Sequence, residues 1–390
     1  MNIKDGQESK KANYKVPFGT VSVTPLAREL INQALDARWL TKGKYVREFE
    51  EKFAALFGMK HGVAVSSGTD ADALACAVLY DFGAKRGDEV IVPALSFIAT
   101  GNAVFQAGFT PVFVDIKRET LNIDPAKIEE KITERTRAIM PVHLMGKPAD
   151  MDPIRTIARK HGLKVIEDAA EAHGAEYRGE KIGAMGDMAC FSLYAAHIIT
   201  TVEGGMVLTD SDQMAEALKS LRNHGMVGKF TFERIGFSAK MNELEAAVGL
   251  GNIEIFEDIL SKRRRNMKYL IEKFRRFDKV FLTLKEEPFE KLGPHAFSII
   301  VRERAGFSKD EFVAFLDANS VDSRNLFYSM PTQCPSYAFL GYKRGEFPEA
   351  EYCSDHGTHI GIHQDIALEQ LDHVVMVVEA FLKNKGVSYF

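Results

Sequence analysis

Three stretches of the sequence place a glycine, a hydroxyl or an acid at the end of an apolar run. In residues 66–74, SSGTDADAL, an apolar run meets a glycine and then a helical pattern. The first amides of a helix lack partners and lie at the positive end of its dipole, so such a point suits a phosphate. Gly68 permits close backbone approach and Thr69 adds a hydroxyl, although ordinary helix starts share this composition. In residues 164–174, KVIEDAAEAHG, Asp168 ends an apolar strand. Open parallel sheets hold ligands beyond such strand ends, so this carboxylate is either a cap or a ligand's partner. His173, in a small-residue turn, reads as structural. In residues 191–205, FSLYAAHIITTVEGG, Ser192 precedes His197 by five residues, ahead of a Gly-Gly turn. Ser192 reads as a strand serine or a phosphate contact. His197 reads as a core or capping histidine, or as an acid–base group of near-neutral pKa.

These residues need a sheet to carry them. Apolar runs alternate with helical patterns: HGVAVSSG with ADALACAVLY, DEVIVPA with FIATGNAVFQAG, TPVFVDI with DPAKIEEKI, TRAIMPVHL with MDPIRTIARKHG, then KVIEDAA. This alternation predicts an α/β fold whose mostly parallel sheet is covered on both faces. DMACFSLY and GGMVLTD add strands on either side of the His197 segment. Asp124 reads as an N-cap with Pro125 at the first helical position, and Gly108 ends another helix. Residues 24–57 read as helix, broken at 40–44, with Phe49, Phe53 and Leu56 on one face. Residues 242–277 read as a long helical stretch leading to a smaller α+β part. The 390 residues thus divide into a large α/β domain, 1–260, and a small C-terminal α+β domain, 261–390.

Composition narrows the classes. Hydrophobic residues make up 46% and charged residues 27%, and the net charge is −4. Dispersed Lys and Arg leave no nucleic-acid footprint. The run Lys262-Arg263-Arg264-Arg265 reads as a solvated face. No apolar run is long enough to span a membrane. Residues 1–15 are polar, read as loose, and carry no signal-peptide pattern. Cys76, Cys190, Cys334 and Cys353 fit no zinc spacing; Cys76 and Cys190 read as core, which suits a cytoplasmic, reducing compartment.

The order of segments adds a resemblance. WLTKGKYVREFEEKFAALFG, SSGTDADAL, GDEVIVPALSFIATGNAV, TRAIMPVHLMGKPADMDPI, VIEDAAEAHGAEYRGEKIGAMGDMACFS, TTVEGGMV, LRNHG and KMNELEAAVGL follow one another along nearly the whole chain. Together they resemble the DegT/DnrJ/EryC1/StrS sugar aminotransferase family, fold-type I enzymes dependent on pyridoxal 5'-phosphate or its amine form, pyridoxamine 5'-phosphate. The resemblance implies that Gly68, Thr69 and Ser192 hold the cofactor phosphate, Phe97 stacks on the ring, and Asp168 pairs with the ring nitrogen. Glu171, where many members carry Gln, would lie near the ring hydroxyl. It further implies a homodimer with shared active sites.

Two departures from the family pattern bear on function. Ser238, in GFSAKM, stands where many members carry an Asn that reaches the partner's phosphate. His197 stands where most carry the lysine that bonds covalently to the cofactor. AAHIIT resembles a histidine-bearing subset, the sugar 3-dehydratases. That resemblance implies removal of the C3 hydroxyl from a nucleotide-linked 4-keto-6-deoxy sugar, with His197 as acid–base and glutamate as amino donor. Scattered cysteines do not resemble the iron–sulfur version of the subset. A nucleotide-sugar aminotransferase and a catalytically silent cofactor-binding protein are the alternatives. The region 324–342, with Arg324 and several aromatics, reads as the substrate end or as a packed loop.

Overall fold

The computed structural model describes residues 14–389. The expectations of a loose start and of no signal peptide fall mostly on residues 1–13, outside that range. Seven strands form the main sheet: β1 (His61–Val65), β2 (Glu89–Pro93), β3 (Thr110–Val114), β4 (Thr136–Ile139), β5 (Lys164–Asp168), β6 (Met188–Ser192) and β7 (Gly205–Thr209). Their spatial order is β1-β7-β6-β5-β4-β2-β3. Every pairing is parallel except those of β7, which runs antiparallel to both β1 and β6. All residues of β2 and β7 are buried, as a sheet covered on both faces requires.

The covering helices begin with α1 (Pro25–Ala37) and α2 (Lys44–Phe57). Thr24 caps α1, accepting the Ala27 N–H at 3.1 Å, with Pro25 at the first position. No side chain of its own segment caps α2. Instead Glu243 accepts N–H groups from Gly43 and Val46, each at 2.9 Å, and Tyr45 at 3.0 Å, placing a carboxylate at the positive end of the helix. Phe49, Phe53 and Phe57 form the buried row of α2, whereas Leu56 is only half-buried. Spacing by four keeps one face, so Phe57 takes the place expected for Leu56.

The remaining helices of the large sheet are α3 (Gly68–Val78), α4 (Ile98–Gln106), α5 (Met151–His161) and α6 (Asp212–Leu221). The segment DPAKIEEKI forms only two 3-10 turns, although Asp124 does cap the first by accepting the Ala126 N–H at 3.1 Å. Its apolar content is too small to hold a full helix against the cost of nucleation. The long helical stretch also divides. Ile255 (φ −106°, ψ 11°) separates α7 (Glu243–Glu254), which packs on α1 and α2, from α8 (Phe256–Phe274), which runs to a second sheet.

That second sheet comprises β8 (Phe281–Thr283), β9 (Ala296–Val301), β10 (Ser323–Asn325) and β11 (Gly357–Gly361), antiparallel in the order β8-β9-β11-β10. Helices α9 (Lys309–Ala318), α10 (Pro348–His356) and α11 (Leu368–Asn384) accompany it. The basic run on α8 is a solvated face only in part. Arg263 is 1% exposed and donates to the carbonyls of His295 (3.2 Å) and Pro294 (3.5 Å) and to Gln364 Oε1 (3.2 Å). Arg264 donates to the carbonyls of Leu292 and Gly174. Successive helical residues point in different directions, so a helix packed on more than one side buries part of any contiguous run. Lys262, half-exposed and paired with Asp258 at 2.6 Å, and Arg265, which is exposed, keep the expected character.

Candidate active site

Chain topology brings the ends of β1, β5 and β6 together. Gly205, at the start of the antiparallel β7, is in register with Val65 on one side and Ser192 on the other. The turn after β1 therefore meets Ser192. A Cβ built on Gly68 would lie 2.6 Å from Ser192 Cβ and 3.0 Å from its Oγ, and one on Gly205 would lie 2.2 Å from the Ser67 carbonyl oxygen. Ser67 caps α3 by accepting the Asp70 N–H at 3.0 Å, while Ser66 and Ser67 hydroxyls hold the Asp70 carboxylate, each at 2.7 Å. This leaves the amides of Gly68 and Thr69 as the ones that an anion would take. Gly68→Ala forces a methyl into Ser192. It should cost about 1–3 kcal/mol in folding stability and weaken uptake of a phosphate-bearing cofactor, read by denaturant titration and by equilibrium dialysis.

Asp168, at the end of β5, is 4% exposed. Its Oδ2 accepts the Thr100 hydroxyl at 2.8 Å and its Oδ1 the Ala170 N–H at 3.2 Å. Thr100 lies in the first turn of α4, where its amide donates to the Phe97 carbonyl at 3.3 Å, so the residue that fixes the carboxylate also fixes Phe97. Burial raises the Asp168 carboxyl above its ordinary range; the Thr100 and Ala170 bonds act the other way. Behind it stands Glu167, fully buried, which accepts N–H groups from Gly183, Met185 and Gly186. His143 Nδ1 accepts the Ala149 N–H at 3.0 Å, so its Nε2 carries the proton that faces Glu167 Oε2 at 3.2 Å. Burial opposes ionisation of Glu167, but His143 and these amides overcome it and hold the carboxyl below its usual value. Glu167 thus pins the end of β5.

His197 sits at the tip of a loop stitched at its neck. Leu193 N–H donates to the Gly204 carbonyl and Thr201 N–H to the Leu193 carbonyl, each at 2.9 Å, and the Thr200 hydroxyl donates to the same Leu193 carbonyl at 3.0 Å. Gly204, at φ 151°, closes the neck where a Cβ would sit 2.2 Å from Thr201 Oγ1. The imidazole Nδ1 is sealed inside with no hydrogen-bond partner, whereas Nε2 is not sealed. The His197 ring centroid lies 5.0 Å from that of His295 and 6.2 Å from that of His173. Burial, then the Arg263 guanidinium, push the His197 imidazole down to about 3. The near-neutral value expected from the sequence is therefore corrected: burial and the guanidinium both disfavour charge, so in the cofactor-free site this ring is uncharged and a weaker base than a free imidazole.

Glu171 is buried; its Oε2 accepts the Met145 N–H at 2.7 Å and its Oε1 lies 3.7 Å from His295 Nε2. Phe97 is 58% exposed and meets Phe327 edge-on at 5.6 Å. From there an aromatic wall runs through His359 to Phe18, with the Arg324 guanidinium 4.3 Å above the Phe18 ring. Ser238 is exposed, on the run that follows an outer hairpin, and the carbonyl of its neighbour Ala239 accepts the Ser66 N–H at 3.2 Å. His173 is buried, as a structural residue should be, yet neither of its ring nitrogens has a partner. Sequence reasoning missed Arg263, His295 and Asp72. Asp72, on α3, is buried with Oδ1 unpartnered, and burial and then the neighbouring Asp168 push it well above the ordinary carboxyl range. Asp72 was legible as an acid within an apolar helical run; Arg263 and His295 had no such signal.

A cradle that any Cβ would fill, a carboxylate held at a strand end, an exposed aromatic tied to it, and a sealed imidazole nitrogen fit pyridoxal phosphate. Fold and site together define a fold-type I enzyme dependent on pyridoxal phosphate. The chain belongs to the DegT/DnrJ/EryC1/StrS aminotransferase family, whose signature matches residues 23–379. It is 38% identical over 361 residues to a GDP-perosamine synthase of Caulobacter vibrioides, covering 91% of this chain and 95% of that one. A crystal structure of GDP-4-keto-6-deoxymannose 3-dehydratase with GDP-perosamine bound superposes with a TM-score of 0.88 at 29% identity, covering 94% of this chain and 100% of the other. The E. coli form of that dehydratase, with hydrated pyridoxal phosphate bound, gives 0.85 at 29% identity, over 93% and 99% of the two chains. Among the described residues no helix is long and apolar enough to cross a membrane.

Proposed function

We propose that the protein removes the C3 hydroxyl from a nucleotide-linked 4-keto-6-deoxy sugar, using the amine form of the cofactor, with glutamate as amino donor. The observation that carries this reading is the imidazole at position 197. Its inner nitrogen is sealed and its outer one is not, and it stands where most members of the family carry lysine. Imidazole cannot anchor the cofactor covalently, but it can take and return a proton.

Gly68, Thr69 and Ser192 would hold the phosphate, Phe97 would cover one ring face, Asp168 would pair with the ring nitrogen and Glu171 would stand near the ring hydroxyl. When bound, the cofactor supplies an amine for the C4 ketone and a conjugated ring that delivers an electron pair as the C3 hydroxyl leaves. His197 takes a proton at Nε2 and gives it to the departing oxygen, which leaves as water. Hydrolysis then frees the 3-deoxy ketone and ammonia, so each turnover consumes one amine and a donor must restore it. Arg324 and the aromatic wall suit a sugar nucleotide, with the cofactor held by the large domain (1–260) and the wall drawing on the small one (261–390). The similarity to dehydratases of known structure supports the reading.

The test is incubation with a panel of 4-keto-6-deoxy sugar nucleotides and glutamate, followed by mass spectrometry. A product that has lost the C3 oxygen supports dehydration. A product that keeps every hydroxyl and carries a new amine supports the second reading, an aminotransferase, which the likeness to GDP-perosamine synthase favours. No conversion of the aldehyde form by glutamate would point to a silent binding protein. Buried thiols at Cys76, Cys190, Cys334 and Cys353, all free, suit the cytoplasm.

We also propose a homodimer. The hairpin of Met226–Gly228 and Thr231–Phe232 exposes Val227, Phe230 and Phe232, and Ile235, 91% exposed, follows it shortly before Ser238. So much exposed apolar surface on one short projection marks an interface. Ile235→Asp should shift the mass measured by light scattering from dimer toward monomer and lower activity.

A further inference from the structure

We propose that His295 is a positioning residue that relays a proton between the Glu171 carboxyl and the inward nitrogen of His197. The proposal rests on the reading of His197 as the acid–base group. His295 stands just before β9 and is held from several elements. Its N–H donates to the Met145 carbonyl at 3.4 Å, and its carbonyl accepts from Arg263 at 3.2 Å. Its Nε2 is 3.7 Å from Glu171 Oε1, and its ring centroid is 5.0 Å from that of His197, at an interplanar angle of 41°. The Met145 N–H occupies Glu171 Oε2, which leaves Oε1 for His295.

Both His197 Nδ1 and His295 Nδ1 are sealed without a partner. A buried polar atom left unpaired costs free energy, and two of them on adjacent rings call for a use. Contacts of this kind are often long in a cofactor-free site and tighten when it is loaded. The relay runs as follows: His197 gains a proton at Nε2 and passes the one on Nδ1 to His295 Nδ1. His295 releases its Nε2 proton to Glu171 Oε1. Each transfer breaks one bond to hydrogen and forms another, no electrons change hands, and the reverse sequence returns the proton for the leaving oxygen.

The surroundings suit these roles. Burial pushes the Glu171 carboxyl up to about 8, with Asp168 adding to the shift against the Met145 N–H, so it can take up or release a proton near neutral pH. Burial, then His197, Arg263, His359 and His173, hold His295 well below the ordinary imidazole range. Beyond these, Arg324 faces His359, and Asp365 faces Arg263 and His363. His295 therefore passes a proton without keeping it.

The test uses His295→Gln, Glu171→Gln and the double variant in the loaded enzyme, together with nitrogen-15 NMR of His197 in the cofactor-free protein. Each single variant should lower kcat on the order of 10²-fold with little change in KM, and the double variant should be no slower than the worse single one. Both single variants should move the His197 tautomer balance in the same direction. Multiplying losses, or a His197 spectrum indifferent to Glu171→Gln, would overturn the relay. If His295→Gln fails to fold, the near-isosteric Glu171→Gln decides through the NMR readout alone. An aminated product from the unaltered enzyme would instead overturn the dehydratase reading, while the tautomer coupling still decides the relay.

Discussion

On the proposed dehydratase reading, His197→Lys should produce a protein that bonds covalently to its cofactor and has lost removal of the C3 hydroxyl. The environment that holds the imidazole at about 3, burial followed by the Arg263 guanidinium, would also disfavour a charged amine. A lysine there should therefore be held uncharged and nucleophilic, the state needed to attack an aldehyde. The covalent link is read as a mass increment that survives denaturation after borohydride reduction. His197→Asn tests the other half of the argument: kcat should fall by roughly 10²–10⁴-fold, the usual contribution of a positioned acid–base group, with cofactor affinity little changed. Dehydration by His197→Lys at the unaltered rate would remove His197 from the reaction.

Asp168→Asn should bring the other large loss. The Asn oxygen can still accept the Ala170 N–H, and its NH2 can donate to the Thr100 hydroxyl, which accepts as well as donates, so the local geometry should survive. What disappears is the charge. A hydrogen bond to a charged group is worth about 1.5–3 kcal/mol, which corresponds to a loss of cofactor affinity of roughly 10- to 150-fold. Turnover should fall as well, because a ring whose nitrogen is not kept protonated is a poorer electron sink. The cofactor-free variant should melt no lower than the unaltered protein. Asp168 is a buried carboxyl whose ionisation burial disfavours, and the variant relieves that penalty. Equilibrium dialysis and calorimetry separate these outcomes, and unchanged cofactor affinity would show that Asp168 does not face the ring nitrogen.

Most strands and helices were readable because periodicity is local. Alternation of apolar runs with helical patterns marked β1 to β5, and Asp124 with Pro125 announced its turn through cap chemistry that spans three residues. Errors arose where a distant partner decided the outcome. The 3-10 turns at Pro125–Lys127 and Glu129–Lys131 lack the apolar contacts that would have held a helix. The break at Ile255 exists because α7 and α8 pack on different elements. The carboxylate at the start of α2 comes from Glu243, about 200 residues along the chain.

For the site, residue types along the sequence determined which chemistry was available: a glycine turn for an anion, a strand-end acid, and an imidazole in place of an amine. Tertiary structure decided how those groups act. Register across β7 set Gly68 against Ser192, Thr100 tied Phe97 to Asp168, and packing of α8 brought Arg263 beneath the histidines, where charge is disfavoured. The division is physical. A side chain's functional group is written in its own residue, whereas its protonation and neighbours depend on burial and on charges that only the folded chain brings within a few ångströms.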